Sequence, residues 1–166
     1  MADELQHECG VAAVYYFDPA QPSTVCPLGP DHAHKLLPRM LLDLQNRGQL
    51  SAGISTVNPA REQLLDTYKD VGTVEQAFRT YQPKKFEGIL AEFAGPAGIG
   101  HVRYATCGPA TKQYAQPFER RHGCKWKWFA FGFNGNLANY PELKQELLAL
   151  GDHHLTRDND TEAVLH

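Results

Sequence analysis

The segment CGVAAVYYF, residues 9–17, is short, apolar and rich in residues that favour extended backbone. It predicts a buried strand over residues 10–17, headed by Cys9. Further strands are predicted over residues 51–57, 64–71, 97–104 and 126–133. Helices are predicted over residues 36–44, 74–81 and 141–150, and a last one begins near Asp160. Because the strands and helices do not alternate regularly, the pattern indicates a mixed α+β domain.

Glycine and proline mark the ends of several predicted elements. Gly48 follows the helix over 36–44 and is expected to end it as a left-handed residue, while Pro141 opens the later helix that Gly151 closes. The stretch RGQLSAG, residues 47–53, carries one glycine before a predicted strand and one inside it, which predicts close approach of another backbone. Its spacing matches no phosphate-binding loop.

Composition limits the function classes. The chain has 166 residues, of which 42% are hydrophobic and 21% charged, and its formal net charge is -3. These values are ordinary for one folded domain and give no electrostatic reason to expect nucleic acid or an anionic membrane as partner. No apolar run is long enough to span a bilayer. Residues 1–8 are polar and acidic, unlike a secretory signal, so a cytoplasmic location is expected.

The four cysteines and eight histidines form no known metal-binding pattern. The cysteines lack CxxC spacing, and the histidines lack an HExxH arrangement. In a reducing compartment a disulfide framework is not expected either. We therefore expect neither a structural zinc site nor any cofactor or metal in this domain.

Cys9 allows two interpretations. A cysteine at the head of a strand is ordinarily a small buried hydrophobe. If the chain is cut between Glu8 and Cys9, however, the thiol and a free α-amine lie on one residue. Their ordinary pKa values differ by only about 0.5 to 0.8 units, so the amine can accept the thiol proton near neutral pH. The residue is then a nucleophile that carries its own base.

Asn134 and Gly135 belong to the sequence NGN, which follows an aromatic stretch. Asn-Gly is a strong turn former, and a tight turn is the simpler interpretation. The alternative is an oxyanion hole, in which the Asn134 side-chain amide and the Gly135 backbone N–H point at one position. Preorganised donors of this kind stabilise a tetrahedral oxyanion by about 3 to 4 kcal/mol each.

Other side chains have the chemistry to hold an amino acid. Arg103 stands at the end of a predicted strand, where arginine is usually a surface residue but can also bind a carboxylate through two parallel hydrogen bonds. Thr106 follows and could add a hydroxyl to the same carboxylate. Asp160 lies in DNDTE, residues 158–162, which is expected to cap a helix and could also pair with an ammonium group.

Each pattern is weak alone, but in this order they resemble the class II glutamine amidotransferases. The motifs are CGV at 9–11, RGQLSAG at 47–53, GHVRYAT at 100–106, FNGNL at 133–137 and NDTE at 159–162. The resemblance runs from Cys9 to the C-terminus. It implies a four-layer αββα sandwich of the N-terminal-nucleophile hydrolase type. It also implies that residues 1–8 are a leader and that residues 9–166 are a glutaminase domain incomplete at its C-terminus.

The resemblance implies a reaction for the candidate nucleophile. Cys9, with its own α-amine as base, would attack the side-chain amide of L-glutamine. Asn134 and Gly135 would stabilise the tetrahedral oxyanion. Ammonia would leave first, and water would then release glutamate from a thioester on the cysteine.

The resemblance also implies a clamp for the substrate. Arg103, helped by Thr106, would hold the α-carboxylate of glutamine, and Asp160 would hold its α-ammonium group. A zwitterion held at both ends places its amide carbonyl against the thiolate, which removes much of the entropic cost of the reaction. The expected substrate of this domain is therefore free glutamine. The molecule that accepts the ammonia would bind to a different domain.

Within the class, the RGQ motif and the short leader ending in Glu8 are most similar to amidophosphoribosyltransferase, an enzyme of purine synthesis. That similarity implies a C-terminal phosphoribosyltransferase-type domain beyond these residues, with any Mg²⁺ bound there. Assembly with further copies of the chain is left open. Asn46, Cys107 and the loop at 120–128 depart from the subfamily pattern, which leaves the subfamily open but not the glutaminase chemistry.

Three other interpretations remain. Another amidotransferase of the class, such as a glucosamine-6-phosphate synthase or an asparagine synthetase, would differ in its C-terminal domain. An N-terminal-cysteine acylase acting on other amides would not need the clamp of Arg103 and Asp160. A catalytically silent glutamine-binding module would keep its leader, and Cys9 would stay blocked.

Overall fold

The computed structural model describes residues 9–17, 21, 23–104, 109–151, 155 and 159–166. The predicted leader, residues 1–8, and the candidate Thr106 lie outside the described residues. Within them, strands and helices are interleaved in the mixed α+β manner that the sequence predicts. No helix in these ranges is long and apolar enough to cross a membrane.

A four-stranded antiparallel sheet forms the framework. Its strands, in spatial order, are β1 (Gly10–Tyr15), β4 (Ala97–Arg103), β2 (Ser51–Val57) and β3 (Leu65–Val71). The end of β4 pairs with the start of both its neighbours, since Val102 lies opposite Gly10 and Arg103 opposite Ser51. The residues that follow β4 therefore lie beside the first residues of β1.

Three helices pack on one face of this sheet. They are α1 (Leu36–Asp43), α2 (Val74–Phe78) and α3 (Pro83–Glu92). Side chains alternate between the two faces of a strand, and Ala12, Ile54 and Val102 join the buried core on the helical face. At Gly100 an added Cβ would lie 3.1 Å from the Leu41 side chain. The small residues of β4 thus let α1 lie close to the sheet.

The opposite face packs against a segment that follows β4 in the chain. Its elements are β5 (Phe118–Arg120), β6 (Phe129–Phe131), α4 (Tyr140–Ala149) and α5 (Asp160–Leu165), and the two strands pair with each other. Lys69 Nζ donates to the Pro117 carbonyl oxygen at 2.9 Å and lies 4.5 Å from the centre of the Phe118 ring. At Gly53 the backbone oxygen of Gln116 occupies the space that a Cβ would need. These contacts fix residues 116–118 on the sheet.

The strand predictions agree closely with the structure. The strands predicted over residues 10–17, 51–57, 64–71 and 97–104 are confirmed as β1, β2, β3 and β4. The predicted strand over 126–133 is reduced to β6, because residues Lys125–Lys127 form a 3-10 turn. The strand β5 has no counterpart in the sequence prediction, since three residues are too few for a periodic pattern to appear.

The helix predictions are confirmed at α1, α2, α4 and α5, with two corrections. Gly48 does not end α1 as a left-handed residue, because its φ of -163° is extended and a 3-10 turn, Gln45–Arg47, comes before it. Helix α3 is missing from the prediction. The sequence does carry a signal for this helix: Pro83 lies in its first turn, and Phe86 and Leu90 are one helical turn apart.

Candidate active site

Cys9 lies at the start of β1, beside the end of β4. One step beyond the pair of Gly10 and Val102, the register places it opposite Arg103. Its half-buried sulfur meets the Tyr104 backbone twice: the Tyr104 N–H donates to Sγ at 3.4 Å, and the Tyr104 carbonyl oxygen lies 3.5 Å from Sγ. The N–H donates to the sulfur and the carbonyl oxygen accepts the proton of the thiol, so the two contacts hold the Cys9 side chain at the end of β4.

The arginine of the RGQLSAG motif supports the backbone of Cys9. Arg47 Nε donates to the Cys9 carbonyl oxygen at 3.2 Å. Gly48 lies so close to β4 that an added Cβ would be 2.5 Å from the Arg103 carbonyl carbon, and the Leu50 N–H donates to the Arg103 oxygen at 3.1 Å. The predicted close backbone approach is confirmed, and it holds Arg47 next to the nucleophile.

Arg103 is buried at the end of β4, with 4% of its surface exposed. Its Nη1 donates to the Pro109 carbonyl oxygen at 3.0 Å, and its guanidinium carbon lies 5.6 Å from the centre of the Tyr114 ring. The interpretation of Arg103 as surface decoration is therefore wrong. The guanidinium is a planar donor group, oriented by two contacts and placed one residue before the backbone that meets the Cys9 sulfur. Its predicted helper, Thr106, lies outside the described residues.

His101 lies two residues before Arg103 on the same face of β4 and is not exposed to solvent. Burial lowers its pKa from 6.5 to about 4, so the ring is neutral at pH 7. Its Nε2 lies 3.1 Å from the Phe133 carbonyl oxygen, which only accepts, so the proton is on Nε2. The buried Nδ1 has no hydrogen-bond partner among the described residues. The hydrogen bond from His101 Nε2 to Phe133 joins β4 to the start of the FNGNL motif.

Asn134 and Gly135 lie on the exposed connection between β6 and α4. The left-handed backbone of a type I′ Asn-Gly turn is not found here, because the φ of Gly135 is not positive. An added Cβ at Gly135 would lie 2.7 Å from the Phe133 ring. Packing of that ring therefore explains the glycine, and the oxyanion role of Asn134 and Gly135 stays a prediction.

Asp160 is the first residue of α5. The preceding Asn159 caps the helix, since its Oδ1 accepts the Glu162 N–H at 2.8 Å, which confirms the predicted helix cap. Asp160 itself is 7% exposed, and its Oδ2 accepts the Leu137 N–H at 2.9 Å. This hydrogen bond joins residues 23 positions apart and brings the FNGNL and NDTE motifs together.

The candidate residues thus form two adjoining groups. Cys9 and Arg103 lie at the edge shared by β1 and β4, and the segment of Asn134 and Gly135 lies beside Asp160. The contact of His101 with Phe133 joins the groups on one face of the sheet. Four residues that make contacts within or between these groups were not singled out from the sequence: His101, Tyr104, Gln116 and Thr161. The last two are joined by a hydrogen bond from Gln116 Nε2 to Thr161 Oγ1 at 3.3 Å. His101 and Tyr104 lie inside GHVRYAT and Thr161 lies inside NDTE, but Gln116 has no sequence signal.

In the part of the chain that the structure describes, no group of three histidine, cysteine, aspartate or glutamate side chains is placed to hold a metal ion. The chemistry of the two groups rests instead on a thiol, a guanidinium, a carboxylate and backbone N–H donors. These are the groups needed to bind a small zwitterion and to attack an amide carbonyl.

Comparison with known proteins identifies relatives of this chain. Residues 85–166 match the family described as glutamine amidotransferase domain. Over 164 residues the chain is 36% identical to amidophosphoribosyltransferase 1, chloroplastic, of Arabidopsis thaliana, covering 99% of this chain and 25% of that protein. Over 126 residues it is 41% identical to the amidophosphoribosyltransferase of Synechococcus elongatus, covering 75% of this chain and 22% of that protein. The chain therefore spans about a quarter of the length of these relatives.

Two solved structures share the fold. One, described as the allosteric regulatory enzyme of purine biosynthesis, superposes with a TM-score of 0.72 at 27% identity and covers 96% of this chain and 28% of its own. The other is the glutamine phosphoribosylpyrophosphate amidotransferase of B. subtilis complexed with ADP and GMP. It superposes with a TM-score of 0.68 at 27% identity, with the same coverage of 96% and 28%.

Proposed function

Since this chain belongs to the glutamine amidotransferase domain family, we propose that it hydrolyses the side-chain amide of L-glutamine to glutamate and ammonia. The ammonia passes to a phosphoribosyltransferase-type domain and forms phosphoribosylamine for purine synthesis. The names of the relatives support this acceptor, and their roughly fourfold greater length leaves room for such a domain.

One observation carries the proposal: the Cys9 sulfur lies at the edge shared by β1 and β4, where the Tyr104 N–H donates to it. Cys9 is partly exposed, and the buried Arg103 immediately precedes Tyr104 in the chain. Arg47 Nε donates to the Cys9 carbonyl oxygen. These contacts place a thiol, a backbone N–H donor and a buried guanidinium at one edge of the sheet.

The proposed reaction has two steps. Before either step, the chain is cut between Glu8 and Cys9, which frees the α-amine of Cys9. In the first step that amine takes the thiol proton, and the sulfur bonds to the side-chain carbonyl carbon of glutamine. The carbon–nitrogen bond of the amide then breaks as its nitrogen is protonated and leaves as ammonia. Water then attacks the thioester, returns a proton to the sulfur and releases glutamate. Asn134 and Gly135 donate to the oxyanion in both steps.

Binding of the substrate uses both groups of the site. Arg103 and Thr106 hold the α-carboxylate of glutamine, and Asp160 holds the α-ammonium group. The burial of Arg103 and Asp160 supports this arrangement, because a charge pair formed away from water is stronger than one at the surface. The carboxylate of Asp160 retains lone pairs for an ammonium group beside the Leu137 N–H and the Thr161 hydroxyl.

The proposed fold is the four-layer αββα sandwich of N-terminal-nucleophile hydrolases. Two observations support it. Helices α1 to α3 cover one face of the large sheet, and the segment with β5 and β6 covers the other. Helix α5 in turn contacts β5 and α4. The small sheet then forms the second inner layer, and α4 and α5 form the outer one.

Glutamate release from L-glutamine tests the proposal directly. Cys9→Ser should lower the rate to background, while intact-mass analysis of the active wild type should show a chain that begins at Cys9. Cys124→Ser is the matched control, since Cys124 is exposed and lies outside the five motifs, and Cys26→Ser changes a buried thiol. Both controls should keep most of the activity.

Two results would argue against the proposal. Equal losses from the three cysteine variants would mean that the thiols have a structural role. An active wild type that still carries residues 1–8 would exclude the α-amine as base. For the acceptor, the full-length protein should consume phosphoribosyl pyrophosphate with either glutamine or ammonia, and Cys9→Ser should abolish only the reaction with glutamine.

A further inference from the structure

A buried side chain without a part in the proposed chemistry links the FNGNL and NDTE motifs. Gln116 is 5% exposed and lies just before β5. Its Oε1 accepts the Phe133 N–H at 2.8 Å, and its Nε2 donates to Thr161 Oγ1 at 3.3 Å. The orientation of this amide is determined, because a backbone N–H only donates and must face the oxygen.

The hydrogen bonds continue from Thr161 to the predicted ammonium ligand. The Thr161 hydroxyl donates to Asp160 Oδ1 at 3.3 Å, and Oδ2 of the same carboxylate accepts the Leu137 N–H at 2.9 Å. Phe133 and Leu137 are the first and last residues of FNGNL. Both ends of this motif are therefore tied to the first turn of α5, one through Gln116 and the other directly.

Gln116 and Phe133 are themselves held by the large sheet. The backbone oxygen of Gln116 lies against Gly53 of β2, and the carbonyl oxygen of the next residue accepts from Lys69 of β3. The Phe133 carbonyl oxygen is bound by His101 of β4 at 3.1 Å. Phe133 is thus fixed at its N–H and at its C=O by buried side chains, so it cannot shift without breaking buried hydrogen bonds.

We propose that Gln116 is a positioning residue that holds Asn134 and Gly135 in place and couples them, through Thr161, to Asp160. The inference rests on the proposed glutaminase function. The donors in this network are directed toward the Asp160 carboxylate, and hydrogen bonds in such a chain strengthen one another. Oxyanion donors stabilise a transition state only when they are already in position. The segment at 134–136 is exposed, so it depends on this network to hold its donors in position.

Two substitutions separate the two ends of the network. Gln116→Met keeps the length of the side chain and removes both hydrogen bonds. It should lower kcat for glutamine hydrolysis by about ten- to a hundredfold and raise KM, because the oxyanion donors and the ammonium ligand both lose support. Thr161→Val is nearly isosteric and removes both hydrogen bonds of the hydroxyl, the one from Gln116 and the one to Asp160, but it leaves the bond from the Phe133 N–H to Gln116 in place. It should raise KM about tenfold and change kcat by no more than about twofold.

Matched controls isolate the hydrogen bonds from the substitutions. Gln113→Met and Thr111→Val make the same changes at exposed positions nearby and should leave kcat and KM unchanged. Thr161→Ser keeps the hydroxyl and should restore KM to within about twofold of wild type. In the double variant, Thr161→Val should raise KM little beyond the value of Gln116→Met, because Gln116→Met has already removed the hydrogen bond from Gln116 to Thr161.

Amide hydrogen exchange on the same full chain tests the network without catalysis. Gln116→Met should speed exchange at Phe133 and also at Leu137, which Gln116 does not bind, by about tenfold or more. Unchanged exchange at Leu137, or a lower melting temperature with unchanged kcat and KM, would overturn the inference. If the wild type releases no glutamate, the proposed function fails instead, and the exchange rates alone decide whether the network exists.

Discussion

Replacing His101 with glutamine should make the fold less sensitive to acid. His101 is fully buried, and burial lowers its pKa from 6.5 to about 4. A glutamine places its Nε2 near the position of the imidazole Nε2, so the hydrogen bond to the Phe133 carbonyl oxygen can persist. The substitution therefore removes the titrating group with little change to the contact.

The sign and the size of the effect follow from the two pKa values. Between pH 6.5 and about 4, the unfolded chain binds a proton at His101 that the folded chain does not, so acid favours unfolding. The contribution is fully present above about pH 6.5 and falls by about 1.4 kcal/mol per pH unit below it. The loss reaches about 2 kcal/mol at pH 5 and about 3 kcal/mol at pH 4. His34, whose pKa burial also lowers to about 4, adds a loss of similar size.

Urea unfolding near pH 7.5 and near pH 5 measures the difference. The wild type should lose about 4 kcal/mol of unfolding free energy across this range, and the His101→Gln variant about 2 kcal/mol. His122→Gln, on an exposed loop, is the matched control and should keep the wild-type dependence. An equal loss in the wild type and in His101→Gln would refute the reasoning, because His101 would then not be a neutral buried group in the folded state.

Two further predictions concern packing and substrate binding. Gly48→Ala should lower the unfolding free energy by about 3 kcal/mol or more, because its Cβ would meet the Arg103 backbone at 2.5 Å. Gly88→Ala, in α3 with nothing within 4 Å of the added Cβ, should raise it by about 0.5 to 1 kcal/mol, and similar urea midpoints for the two variants would contradict the close approach. Arg103→Lys should raise KM for glutamine about tenfold with a smaller effect on kcat, because the planar donor pair is lost. Steady-state kinetics against Arg39→Lys, an exposed arginine of α1, checks this, and an unchanged KM would remove Arg103 from the clamp.

Much of the fold could be read from local patterns. The strands β2 and β4 have apolar or β-branched residues and glycine or proline boundaries, and Pro141 with Gly151 marks α4 closely. The prediction failed where the pattern was diluted. In α3 the charged residues and Gly88 interrupt the apolar spacing, and its helical structure depends on Leu90 packing into the core.

The candidate site shows the same division. The order of five motifs was enough to identify the family and to single out Cys9, Arg103 and Asp160. It did not indicate that Arg103 is buried or that Gly135 lies under the Phe133 ring. Burial and ring packing depend on which residues face each other across two layers, and a motif carries no information about that.

The sequence by itself determined the strands of the large sheet, most of the helices and the set of candidate side chains, because these depend on residues close together in the chain. Only the tertiary structure decided how the candidates meet. The contacts of Cys9 with Tyr104, of His101 with Phe133 and of Gln116 with Phe133 join residues 95, 32 and 17 positions apart. No periodicity links such residues, since each hydrogen bond forms only after the strands have paired and the second layer has packed against the sheet.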